Sequence, residues 1–220
     1  MTAHFHLRLA ELLTSRLCHD LITPIGAINT GLELFQEISP DHLTESREIL
    51  NLILHSAQTA SARVSFFRVA FGSSGAMTSL GEVRELIEKY FIRSKLEFRW
   101  NDPFQKDLTL DGWGRLLLNS VLWVSECVPR KGILHISSPR EGYPLLSLHL
   151  KADSIILHQG TLEALEGQTA LEDITPRTVP CYLIHRLAEE KKAKITFRKA
   201  SPSELFLEIK GEEMQSMTKV

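Results

Sequence analysis

Apolar residues recur at steps of three and four along two long stretches near the amino terminus. In the first, Leu17, Leu21, Pro24, Ile28, Leu32 and Phe35 line one stripe, which predicts an amphipathic helix from about His6 to Gln36. In the second, Leu50, Ile53, Ala57, Ala60, Val64, Phe67 and Phe71 alternate those steps as a heptad seam. That helix is expected to end at Gly72-Ser73-Ser74-Gly75, a C-cap and linker. Between them Glu37-Ile38-Ser39-Pro40-Asp41 stops one helix and starts the next, with Ser39 as N-cap and Pro40 at the first helical position.

From Thr78 the pattern changes to alternating helix and strand. Ser79-Leu80-Gly81-Glu82 has the spacing of a capping box and opens a helix to about Phe91. Leu96–Asn101 reads as a strand, and Asp111–Val128 as a strongly apolar helix closed by Pro129 and Gly132. Ile133–Ser137 and Leu145–Leu150 form a strand pair, Thr161–Leu165 a short helix, and Pro180 to about Lys191 a longer one. Ile195–Lys199 and Leu205–Lys210 close the chain as a hairpin.

A helical hairpin of ~30 residues per arm is ~45 Å long and cannot bury both of its apolar stripes on itself. A homodimer forming a four-helix bundle is the economical and favoured solution, the alternative being that the second half covers the hairpin within one chain. The expected class is therefore α+β: a long antiparallel helical hairpin followed by an α/β sandwich with helices on one face of a mixed sheet. We divide the chain into residues 1–75, the hairpin, residues 76–212, the α/β unit, and a tail at residues 213–220.

Composition changes this picture little. A net charge of −2 with no basic patch argues against nucleic acid as a partner. No run is long enough to span a bilayer and no apolar signal core is seen, so no membrane association is expected. Cys18, Cys127 and Cys181 are scattered, which fits a reducing cytoplasm rather than a disulfide framework. Cys18 adjoins His19, but neighbours on a helix do not face each other, so a Cys/His nucleophile pair is not expected.

His19 is the residue that the apolar pattern leaves over. Each helical residue turns by roughly 100°, so His19 falls about 200° from the Leu17 stripe. Ser15, Thr23, Gly26 and Thr30 share its face and are small, so a large partner can approach the imidazole closely. Pro24 removes the helix bond to the carbonyl of Asp20 and crowds it, one turn below the histidine.

His19-Asp20-Leu21-Ile22-Thr23-Pro24-Ile25 resembles the H-box of sensor histidine kinases: histidine, an acidic residue, two more residues, a polar residue and proline. The longer string from Leu17 to Leu34 resembles the ChpT-type histidine phosphotransferases of alphaproteobacteria, and the likeness covers nearly the whole chain. It implies that the second half is similar to the kinase ATP-binding fold. There Asn119 matches the first asparagine of the kinase N-box, but Trp123 stands where the second would hold the magnesium of ATP. An indole cannot coordinate a hard cation. Lys151-Ala152-Asp153-Ser154-Ile155-Ile156 and Val179-Pro180-Cys181-Tyr182-Leu183 occupy the glycine-rich boxes without glycine, so the backbone cannot approach phosphates. Asp153 then reads as a surface or turn carboxylate.

The resemblance implies a phosphorelay: a receiver domain of a hybrid histidine kinase upstream, cell-cycle response regulators downstream, and His19 as the phosphoryl carrier. Asp20 would orient the second ring nitrogen, and Thr23, one turn on, would meet phosphoryl oxygens or water. Ser15, Arg16, Ile22 and Gly26 would meet the partner, with Arg16 available to a phosphate or a receiver carboxylate. No cofactor is expected on this chain, and magnesium would come from the receiver. Two alternatives stay open, a divergent ATP-dependent histidine kinase and a non-catalytic dimeric scaffold for response regulators. His4 and His6 form a His-x-His with nothing nearby to complete a metal site, and His135 and His149 fall in predicted strands.

Overall fold

The computed structural model describes residues 2–39, 42–72, 78–92, 94–101, 104–109 and 111–212. The chain opens with α1 (Thr2–Glu37) and α2 (Leu43–Ala70), the antiparallel hairpin that the periodicity predicts. Helix α1 runs without a break through Pro24. The hairpin arms approach closely at Gly31, where an added Cβ would lie 2.6 Å from Cγ1 of Ile53. Ser39 does not cap α2. His42 holds the N-cap position, and the carbonyl of Ser39 accepts the His42 amide in the preceding turn, at 3.0 Å. Pro40, Asp41 and most of the Gly72–Gly75 linker lie outside the described residues.

The second half contains α3 (Leu80–Tyr90), β1 (Leu96–Trp100), α4 (Trp113–Glu126), β2 (Gly132–Ser137) and β3 (Leu145–Ala152). It continues through α5 (Thr161–Leu165), α6 (Val179–Glu190), β4 (Lys194–Ser201) and β5 (Glu204–Lys210). The capping box that opens α3 is present: Ser79 Oγ accepts the Glu82 amide and Glu82 accepts the Ser79 amide. One five-stranded sheet runs in the order β1-β2-β3-β5-β4, with only β1 and β2 parallel. The class is α+β, as expected from the pattern.

Strand alternation sends Leu134, Ile136, Leu146, Leu148, Leu150, Leu205, Leu207 and Ile209 to one face, all fully buried. Helix α4 lies within that core and is apolar almost all round, with Leu116, Leu117, Leu118, Val121 and Val124 fully buried. Each such side chain contributes roughly 1.5–3 kcal/mol by leaving water. Opposite edges of the outer face are bridged by the cross-strand row Arg99, His135, His149, Phe206 and Arg198. There the rings of His149 and Phe206 stack at 4.0 Å. This is where the two predicted strand histidines go: both sit on the sheet's outer side, His149 paired to Glu204 at 2.7 Å.

The hairpin does not stand apart from the sheet unit. Phe66, Phe67, Val69 and Ala70, the last turns of α2, are buried in the same core as α4. Asn119 of α4, fully buried, donates Nδ2 to the carbonyls of Ala70 at 3.0 Å and Arg115 at 2.9 Å. It thereby satisfies a carbonyl in the last turn of α2 that the helix itself leaves open. No helix among the described residues is long and apolar enough to cross a membrane.

The cysteines separate into one exposed, Cys18, and two buried, Cys127 and Cys181. Burial pushes the Cys127 thiol up to about 12 and the Cys181 thiol well above its ordinary value. A thiol reagent at neutral pH is therefore expected to modify Cys18 alone in the native protein. Cys127 and Cys181 should follow only in denaturant, a result that mass spectrometry of the labelled protein reads directly.

Candidate phosphoacceptor site

His19 stands on the outer side of α1 with its side chain 83% exposed. Ser15, Thr23, Gly26 and Thr30 are exposed around it, Ile22 is 71% exposed, and a Cβ added at Gly26 would meet open space. The small-residue face that the sequence predicts is open. Thr23 lies on that face, one turn from the imidazole.

The proton on the ring is assigned by the neighbour. His19 Nδ1 lies 2.9 Å from Oδ1 of Asp20, whose carboxylate can only accept, so Nδ1 donates and Nε2 carries the free lone pair. Neighbouring residues point apart on a helix, yet these two side chains meet. Asp20 is bent to the histidine because its other oxygen is held from behind. Arg16 Nε donates to Asp20 Oδ2 at 3.1 Å, and the Tyr90 hydroxyl donates to the same oxygen at 3.3 Å.

Arg16 departs from the expectation. It is 9% exposed, and its guanidinium is spent on Asp20, Glu126 and the Pro176 carbonyl. Burial by itself would lower its pKa, but the charges of Glu126 and Asp20 outweigh this and hold it above the ordinary arginine value. It is a permanent cation inside the protein rather than a free hand for a receiver.

The carbonyl that Pro24 strands is also accounted for. Arg63 of α2 donates Nη1 to the carbonyl oxygen of Asp20, replacing the amide donor that proline lacks. Pro24 marks the stranded carbonyl in the sequence, but its donor lies 43 residues further on, beyond any local pattern.

Other residues the sequence does not single out come from the far end of the chain. An open cleft of about 580 Å³ is lined by His19 and Arg16 from α1, Glu126 from α4, and His158, Thr175, Pro176 and Arg177. The loop carrying the last three is fixed by reciprocal bonds: the Thr175 amide to Thr178 Oγ1 at 3.0 Å, and the Thr178 amide to Thr175 Oγ1 at 3.3 Å. It is also tied to α1, through Arg8 to the Ile174 carbonyl at 3.5 Å and Arg16 to the Pro176 carbonyl at 3.4 Å.

The residues that would have to hold a nucleotide and its magnesium do not fit them. Trp123 is 1% exposed with its ring packed 5.6 Å from that of Phe197. The amide nitrogen of Asn119 is committed to two backbone carbonyls, and its oxygen is sealed in the core without a partner. The first turn of α6 is closed over as well: Val179 and Cys181 are fully buried, and the Val179 amide is taken by the Thr175 carbonyl.

Residues 80–203, more than half of the chain, match the model of the histidine phosphotransferase C-terminal domain family. The chain belongs to the histidine phosphotransferases. This histidine phosphotransferase is 34% identical to the protein phosphotransferase ChpT of Brucella abortus (strain 2308) over 91% of its own length and 94% of that relative. It is also similar to the solved structure of a bacterial phosphotransferase, with a TM-score of 0.78 and 34% identity, covering 92% of this chain and 96% of that one. Membership by sequence thus extends over the hairpin as well as the sheet unit of the phosphotransferase.

Proposed function

We propose that this protein is a phosphorelay intermediate in which His19 takes a phosphoryl group from the aspartate of a hybrid histidine kinase's receiver domain. It then passes the group to the receiver aspartate of a response regulator, without using ATP. The observation that carries this is the imidazole of His19: open to a large partner, with Nδ1 anchored on Asp20 and Nε2 without a partner among the described residues.

The transfer balances on those atoms. The Nε2 lone pair attacks phosphorus, the bond from phosphorus to the receiver's carboxylate oxygen breaks, and the aspartate leaves as its carboxylate. The ring becomes a phospho-imidazolium that keeps its proton on Nδ1, hydrogen-bonded to Asp20, and the Asp20 carboxylate offsets the new positive charge. The return step runs the same path backwards. The transition state is loose and depends on positioning and charge neutralisation, for which the receiver supplies magnesium. Ser15, Ile22, Thr23 and Gly26 form the face the receiver meets, with Thr23 placed for the phosphoryl oxygens.

Toward the tip of the hairpin Leu32 and Phe35 of α1 and Leu50 and Leu54 of α2 are between 38% and 53% exposed in the single chain. Large apolar side chains left open on successive turns of both arms mark a protein interface. A homodimer with a four-helix bundle covers it, and the protein then works in the cytoplasm as a symmetric pair of phosphoacceptors.

The test is incubation with a receiver domain phosphorylated on aspartate, alongside a second reaction with magnesium and ATP. Acid-labile label on this protein from the receiver and none from ATP is the expected result. Label from ATP without a receiver identifies a kinase instead. Receiver binding with no label in either reaction identifies a scaffold.

A further inference from the structure

The sheet unit reaches the phosphoacceptor without touching it. Two of its side chains, Tyr90 from α3 and Glu126 from α4, end on the pair Asp20 and Arg16 directly behind His19. The bonds are sequential. Glu126 holds the guanidinium of Arg16, Arg16 and Tyr90 both donate to Oδ2 of Asp20, and Oδ1 is left to accept the ring N–H of His19. We propose that Tyr90 and Glu126 are positioning residues for phosphotransfer. Through Asp20 and Arg16 they hold His19 in the tautomer with its proton on Nδ1, so Nε2 is the nucleophile. The idea rests on the phosphorelay reading for its consequence, but the tautomer can be measured without any transfer.

The chemistry favours such an outside clamp. A carboxylate on a helix next to the histidine swings freely between solvent and ring unless something fixes it, and an exposed imidazole exchanges between two tautomers. Asp20 has both oxygens claimed, and its side chain is only 12% exposed. Tyr90 is a fixed donor because its ring is wedged among Phe66 at 4.4 Å, Phe91 at 4.6 Å and Phe67 at 5.7 Å. Burial, followed by the charge of Asp20, drives its phenol well above the ordinary tyrosine value, so the hydroxyl keeps its proton. Glu126 serves Arg16 in the same way: without it the guanidinium has lost one of its two anions and part of its hold on Asp20. Helices α3 and α4 thus form the wall that steadies the acceptor.

The experiment compares wild type with Tyr90→Phe and Glu126→Gln. Each keeps the shape of the residue it replaces. NMR on protein with isotope-labelled histidine reads which ring nitrogen carries the proton, His19 being assigned from the His19→Ala spectrum. Transfer from a phosphorylated receiver and receiver affinity are measured in parallel. Tyr90→Phe is expected to raise the population of His19 protonated on Nε2. It should slow transfer about tenfold, the effect of one hydrogen bond to a charged group, with receiver affinity unchanged. Glu126→Gln should move both readouts the same way by less. A wild-type tautomer population in Tyr90→Phe overturns the proposal, even if transfer slows, because the slowing is then structural. If wild type takes no label from any receiver, the phosphorelay reading fails while the tautomer measurement still decides the clamp.

Discussion

His19→Ala leaves a folded protein that accepts no phosphoryl group from a phosphorylated receiver, with labelling falling by about a thousandfold or more to the level of the background. The size follows from its role as the attacking atom: Asp20, Arg16 and Tyr90 hold the imidazole but none of them offers a neutral nitrogen in its place. The folded state is indifferent because the side chain is 83% exposed and no core residue leans on it. An exposed substitution of this type shifts stability by no more than about 0.5 kcal/mol. Labelling and a thermal melt on the same preparation check both halves. Equal labelling of wild type and variant would remove His19 from the reaction altogether.

Trp123→Asn, which places an asparagine where the kinase N-box resemblance expects its second one, is expected to cost about 3–5 kcal/mol and to gain no affinity for magnesium and ATP. The indole is 1% exposed and packs on Phe197, so the exchange opens a cavity in the sheet unit's core. It also brings a polar amide into that apolar packing. At this chain length such a loss lowers the melting temperature by about 10 °C or more. Nucleotide affinity does not return, because the amide nitrogen of Asn119 is bound to Ala70 and Arg115 and the first turn of α6 is buried. A denaturation curve together with calorimetric titration by ATP and magnesium checks this. Tight binding at undiminished stability would show that Trp123 alone keeps nucleotide out.

The hairpin, the strands and the exposed His19 face were legible from the sequence because each is a local pattern. A period of three or four places Leu17 inward and His19 outward, and a period of two sets every strand within a residue or two of its observed ends. What escaped was polar or distant. Leu12, Arg16 and Pro24 are buried at steps of four, with Asp20 half-buried between them, so α1 carries a second buried edge. A hydrophobicity pattern misses that edge because its middle members are charged. Such charges enter a protein interior only when paired. Their partners Tyr90, Glu126 and Pro176 lie between 70 and 160 residues away along the chain. No local spacing encodes contacts at that range. The same holds for His158 and Arg177, which join His19 only through the folding of the sheet unit against α1.

The sealing of α2's last turns into the core has a consequence for traffic at His19. A linker that merely tethered the stem would let the phosphoacceptor swing, presenting one orientation to a donor and another to an acceptor. Here such a swing has to pull Phe66, Phe67, Val69 and Ala70 out of their packing and break the tie from Asn119. The stem and the platform behind it therefore travel as a rigid whole. Under the proposed relay, donor and recipient then have to fit the same fixed face at any one His19, and they occupy that face by turns.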